Sequence, residues 1–150
     1  MKIPKQTGFT MLEVLVTMVI LSFGLLGIAG IIANGLKNNQ SSYARSQASW
    51  LANDMVDRMR ANRAAAEVGT SPYNLAIGTA PTGTTIAATD LIAWRAALAA
   101  TLPSGTGTGS VSVASSGANP TYKVTVVVQW DDSRARGGGT TEQFSLETRL

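Results

Sequence analysis

The sequence predicts an α+β fold in which a long amino-terminal helix packs on a small antiparallel β-sheet. Three observations carry this expectation. No proline interrupts the chain from Phe9 to Ser71. The carboxy-terminal third instead alternates apolar and polar residues at strand spacing. Between the two regimes, Val68 to Thr89 is rich in Gly, Thr, Ser, Pro and Ala, a connecting-loop composition.

The chain opens on a short basic leader. Lys2 and Lys5 precede Gly8, and the twenty-five residues from Phe9 to Ala33 contain Glu13 as their one ionisable side chain. At ~1.5 Å per residue such a helix is about 37 Å long, enough to cross a hydrocarbon core of ~30 Å. Residues 9–33 are therefore expected to span a membrane once. The positive leader favours a cytoplasmic amino terminus, with residues 34–150 on the far side. A secretory signal peptide also opens basic, but its apolar region is normally ~7 to 15 residues and ends at small residues. Here the run is longer and begins with a glutamate.

Glu13 needs a local reason. An ionised carboxylate costs on the order of 2.5 to 3.5 kcal/mol at the centre of a membrane helix, and less near an interface. One reason is the stretch Thr10-Met11-Leu12-Glu13, which fits a capping box: Thr10 accepts from the N–H of Glu13, and Glu13 reaches back to the N–H of Thr10. A first-turn carboxylate also suits the helix dipole. A second reason arises if the chain is cut after Gly8. Phe9 would then carry a positive amine one helical turn from Glu13, at the tip of an otherwise apolar rod able to pack against copies of itself.

The leader MKIPKQTG followed by FTMLEVLVTMVIL resembles the class III signal of type IV pilins and pseudopilins. The resemblance implies a pilin-like fold and three functional positions. Gly8 would precede the cut made by a prepilin peptidase, Phe9 would become the N-methylated first residue, and Glu13 would neutralise the amine of an adjacent subunit during assembly. It divides the chain into a cleaved prepilin leader (1–8), a transmembrane and assembly helix (9–33), and a periplasmic head (34–150) of amphipathic helix plus β-sheet. Within that family the chain resembles the PilV type of minor pilin. This rests on GLLGIAG in the stem, SQASWLANDMVDRMRANR from Ser46 to Arg63, AWRAALAATLPSG from Ala93 to Gly105 and VTVVVQWDD from Val124 to Asp132. The likeness implies a minor subunit that primes pilus assembly and sits at the fibre tip. The implied partners are other minor pilins, the major pilin, the prepilin peptidase, the inner-membrane assembly platform and a large tip adhesin. The implied location is the bacterial inner membrane, then the fibre at the cell surface. A type II secretion pseudopilin would share signal, stem and head, and a membrane-tethered binding module would differ by keeping its leader.

Composition narrows the chemistry. The full chain has 12 Lys and Arg against 9 Asp and Glu, net +3; without Lys2 and Lys5 the side chains sum to +1. A pI of 9.6 would suit nucleic acid binding. Yet Arg58, Arg60 and Arg63 are interleaved with Asp54 and Asp57, as on a solvated helix face, and no nucleic acid partner is expected. The chain has no Cys, hence no disulfide staple, and no His, the commonest general base and metal ligand. It contains no G-x-S-x-G, phosphate-binding loop or metal-ligand cluster. No enzymatic activity, cofactor, catalytic residue or metal ligand is expected. Asp131 and Asp132 have only Glu142 as a further nearby carboxylate, whereas calcium takes ~6 to 8 oxygens, so a turn is the preferred reading.

The elements follow in order. Tyr43, Gln47, Leu51, Met55 and Met59 recur every four residues, with Ala48, Trp50 and Ala52 widening the stripe, so the helix should run to about Arg63. Tyr43, Trp50 and the two Met are expected to face the sheet. Asp54 and Arg58 are placed for i, i+4 support. Gly24, Gly27, Gly30 and Gly35 permit either close helix approach or local loss of helicity. A second, shorter helix should start at a cap on Thr89 or Asp90, carry Leu91, Ile92, Trp94, Arg95 and Leu98 on one largely apolar side, and end before Pro103. Strands are expected at Ser110 to Ala114, Tyr122 to Trp130 and Phe144 to Leu150. Three strands need a packing partner. The amphipathic half of the long helix can supply it.

Overall fold

A computed structural model describes residues 8–116, 121–135 and 137–150. Lys2 and Lys5 of the leader lie outside the described residues. Helix α1, Met11–Ala61, is 51 residues long. Thr10 starts it: its carbonyl accepts from the N–H groups of Glu13 and Val14 at 3.1 and 3.3 Å, and its Oγ1 accepts from Glu13 N–H at 3.2 Å. This is half of the capping box; the Glu13 carboxylate makes no return bond to the Thr10 N–H. The helix continues through all four stem glycines, so of the two alternatives for them local loss of helicity is not seen in the single chain. Thr17 and Ser22 donate their hydroxyls to the carbonyls of Glu13 and Met18, each at 2.7 Å, which satisfies both polar groups within the apolar run. The helix ends at Asn62, whose φ of −114° and ψ of 46° break it before the four-residue α2, Arg63–Ala66.

The chain divides into two compact units, Met1–Lys37 and Asn38–Leu150. Every described residue of the first is exposed. Its most apolar 18-residue window has a mean hydropathy of 2.5, and a bare surface of that kind is normally covered by lipid or protein.

The second unit is built on a three-stranded antiparallel sheet of order β1-β2-β3. The strands are β1 (Thr108–Ser116), β2 (Thr121–Trp130) and β3 (Glu142–Arg149). Register places Val111 and Leu146 on either side of Val126, and Val113 beside Val124, so one face is a continuous apolar surface. Ala44, Ala48, Leu51, Ala52, Met55, Val56 and Met59 of α1 cover that face.

Tyr43 and Trp50, expected in this core, are each 64 % exposed. The cause is helical drift. A four-residue step turns ~40° past a full rotation, so a strict repeat from Tyr43 to Met59 winds about 160° around the helix. The residues that stay on one face mix steps of three and four, and most of the early ones are alanines.

Helix α3, Ile86–Thr101, starts three to four residues before the expected cap. Thr85 is the cap, its Oγ1 accepting from Ala88 N–H at 3.2 Å. Thr89 sits inside the first turn and donates its hydroxyl to the Thr85 carbonyl at 3.1 Å. Of the side expected to be apolar, Leu91, Trp94 and Leu98 are buried whereas Ile92 is 45 % exposed and Arg95 only partly buried, and the helix stops before Pro103. Trp94 lies against Gly109 so closely that a Cβ there would stand 2.5 Å from its ring.

Candidate functional site

Gly8, Phe9 and Thr10 precede the first helical turn and are non-helical and exposed, Phe9 at 85 %. A Cβ at Gly8 would meet nothing within 4 Å. The Gly8–Phe9 peptide is thus accessible and free of helix hydrogen bonds, the form in which a peptidase can take a chain. Glu13 lies one turn further on, exposed, and its carboxylate has no hydrogen bond or ion pair among the described residues.

Residues 3–29 match the family described as the prokaryotic N-terminal methylation motif. Comparison with curated proteins and with solved structures gave no match. The matched stretch is a type IV pilin-like prepilin signal and contains Gly8, Phe9 and Glu13. The motif supports a type IV pilin or pseudopilin type of protein, and it implies membrane association with pilin and peptidase partners in general. Together with the long apolar helix it fits a single-pass inner-membrane protein. The α+β arrangement of helix and three-stranded sheet is pilin-like.

In the head, the acidic residues weighed as calcium ligands serve the turn after β2. The Asp131 carboxylate accepts from Ser133 N–H at 2.8 Å, and that bond holds its pKa below the usual range. Buried Asp132 accepts from the Ser41 hydroxyl, while its N–H donates to the Gly139 carbonyl at 2.9 Å. Glu142 takes the Arg45 guanidinium at 2.8 Å and Gly139 N–H at 3.3 Å. Each carboxylate has its own protein partner, and among the described residues no group of three is placed to hold a metal ion.

A second polar cluster joins α1, the 71–75 segment and α3. Buried Tyr73 donates its hydroxyl to Asp90 at 2.7 Å and accepts from the Asn62 amide at 3.1 Å. Arg58 bridges Asp54 at 2.9 Å and Asp90 at 3.5 Å. Burial, helped by the hydrogen bond to Asp90, pushes the Tyr73 phenol up to about 12. Sequence spacing found the Asp54–Arg58 pair.

Sequence reasoning missed the contacts that bind the sheet edge to the helix. Arg45 reaches Glu142 at the start of β3, and Arg63 Nη2 donates to the Leu150 carbonyl at its end, at 3.1 Å. Eighteen residues of helix and eight of strand each cover about 27 Å, so β3 runs alongside α1 in the same direction. Partners 97 and 87 residues apart leave no local sequence signal.

Proposed function

We propose that this chain is a minor pilin of a type IV pilus, of the PilV type, that joins other minor pilins to prime assembly and sits at the fibre tip. The observation that supports this reading is the methylation motif over residues 3–29, a stretch that contains Gly8, Phe9 and Glu13. Before processing, the chain is held in the inner membrane with its leader in the cytoplasm and residues 34–150 in the periplasm. Prepilin peptidase cuts between Gly8 and Phe9 and the new amine is methylated. The stem then packs among other stems, where the amine and Glu13 of neighbouring subunits compensate each other. The head contributes surfaces for minor-pilin partners, the major pilin and a tip adhesin; no catalytic role, cofactor or nucleic acid is assigned to it. The amine–carboxylate pairing follows from Coulomb's law in an apolar surround, where leaving either charge alone is costly.

The test is mass spectrometry of the protein from its own cell, followed by partner identification after crosslinking in the membrane. A mature chain beginning at methylated Phe9 and recovered with other minor pilins supports the reading. Recovery with secretion-system components assigns it to a type II pseudopilus. A retained leader points to a membrane-tethered binding module.

A further inference from the structure

The two edges of the sheet are treated differently. The outer edge of β1 is covered: Leu75 and Val111 exchange both main-chain hydrogen bonds at 2.8 and 2.9 Å, and the Asn74 side chain accepts from Val113 N–H at 2.7 Å. No strand lies beyond β3 among the described residues. Leu150 N–H donates to the Tyr122 carbonyl at 3.2 Å, and Lys123 pairs with Arg149 in register. By the alternation of an antiparallel ladder, residues 142, 144, 146 and 148 therefore also turn their main-chain groups toward β2. Gln143, Ser145, Glu147 and Arg149 turn theirs outward. Among the described residues none of these four N–H groups has a partner, and of their carbonyls only that of Arg149 accepts a bond, from the neighbouring Thr148 hydroxyl at 3.4 Å.

Of the usual edge protections this strand has charged side chains, Glu147 and Arg149, and few others. It has no proline and no bulge, and it is eight residues long. Its core-side row, Phe144, Leu146 and Leu150, is only partly buried, whereas the corresponding Val124, Val126 and Val128 of β2 are fully buried. On the opposite face Lys123 pairs with Glu147 at 2.7 Å, so Arg149 is left without a carboxylate partner among the described residues.

We infer that β3 is a strand-addition site, which takes an extended segment of a different protein as a fourth strand of the sheet. Main-chain bonds to the four outward residues hold the segment. Its alternate side chains meet unlike surfaces: apolar ones complete the row of Phe144, Leu146 and Leu150, and polar ones, with a carboxylate near Arg149, lie on the outer face. A second copy, which would have to join antiparallel to keep both apolar rows on one face, is the competing occupant. Glu147 exchange that does not change with protein concentration in the absence of peptide rules it out, and slowing that rises with protein concentration overturns the assignment.

The experiment uses the full chain in detergent micelles and a synthetic probe peptide, Thr-Val-Glu-Val-Ser-Leu-Thr, with amide hydrogen exchange read at single residues. At ~90 % occupancy the peptide should slow exchange of the Glu147 amide about tenfold. The Ser145→Pro chain, which loses an outward N–H but no bond to β2, should show a much smaller effect. The same peptide N-methylated at its polar residues, whose N–H groups would face β3, should show none with the unaltered chain. No slowing, or equal slowing by the N-methylated peptide, overturns the assignment, and this second arm holds even if Ser145→Pro folds poorly. The measurement does not depend on leader cleavage or fibre incorporation, so failure of the pilin reading and failure of the strand site are read separately.

Discussion

Trp94 Nε1 donates to the Leu51 carbonyl at 2.8 Å inside the core, which ties α3 to the buried face of α1. Leu51 is also a helical residue, so its carbonyl serves two donors. The second large indole behaves differently: Trp130, at the end of β2, is equally buried, but its Nε1 has no acceptor among the described residues. Replacing either by Phe removes ring volume, but only at Trp94 does it also remove a hydrogen bond. At Trp130 it removes an unsatisfied donor, a group that costs ~1 to 3 kcal/mol when buried. Trp94→Phe should therefore destabilise the head more than Trp130→Phe, by about 1 to 3 kcal/mol, in urea denaturation followed by circular dichroism. Equal losses would contradict the pairing.

Gly109 tests the same junction from the strand side. A Cβ on it would stand 2.5 Å from the Trp94 ring and 2.7 Å from the Val127 carbonyl. Neither neighbour is a free chain end, since the indole is pinned by Leu51 and the carbonyl belongs to the central strand. Gly109→Ala should cost at least ~1 to 3 kcal/mol through overpacking. At Gly69, where an added Cβ meets nothing within 4 Å, the same change should be close to neutral. Melting temperatures of the two variants decide the point.

The contrast shows what the sequence could carry. Strand positions were legible because period-two alternation in Tyr122 to Trp130 reports directly on burial, and the three strands lie where expected with slightly wider bounds. The long helix was legible from its unbroken, proline-free run. Its buried face was legible at Ala48, Leu51, Ala52, Met55 and Met59, which are buried, but not at its start, because Ala44 carries little hydrophobic signal beside Tyr43, and Tyr43 and Trp50 are exposed. Thr85 was missed as a cap because Thr82, Thr84, Thr85 and Thr89 all look competent, and only the backbone picks one. The prepilin-type signal over residues 3–29 was legible because such a signal is a short linear stretch. The open edge of β3 depends on strand order, which no local pattern encodes.

Alkaline pH should weaken the head through Tyr73. Its phenol is ordinarily near 10.0 and is pushed up to about 12 in the fold, so the native state holds its proton after the unfolded chain has lost it. The associated stability is complete below pH 10 and disappears as pH rises through about 12. A shift of this size corresponds to roughly 2 to 3 kcal/mol. Tyr73→Phe should be less stable than the unaltered chain at pH 8, because Asp90 and Asn62 lose a partner, yet its stability should fall less between pH 9 and 11. Parallel urea denaturation profiles over that range would show the two curves converging. Curves that stay parallel would mean that the phenol is not held in its neutral form by the fold.

Glu13 separates folding from assembly. It is exposed and lies in the first compact unit, so Glu13→Ala should leave the melting temperature of residues 38–150 unchanged. The Thr10 cap also survives, since it uses the N–H of residue 13 and not its side chain. On the proposed function the variant leaves a neighbouring stem's amine without a counter-charge, so incorporation should fall by about thirtyfold, a cost on the order of 2 kcal/mol. Gly8 acts one step earlier: Gly8→Trp should block the cut and leave the longer precursor on a gel. Sheared fibres and membranes from cells carrying each variant should therefore differ in kind. Glu13→Ala should give a mature-length, folded protein retained in the membrane, and Gly8→Trp an uncut one. Mature-length Glu13→Ala recovered in fibres at the normal level would remove the charge-compensation role while leaving the processing role intact.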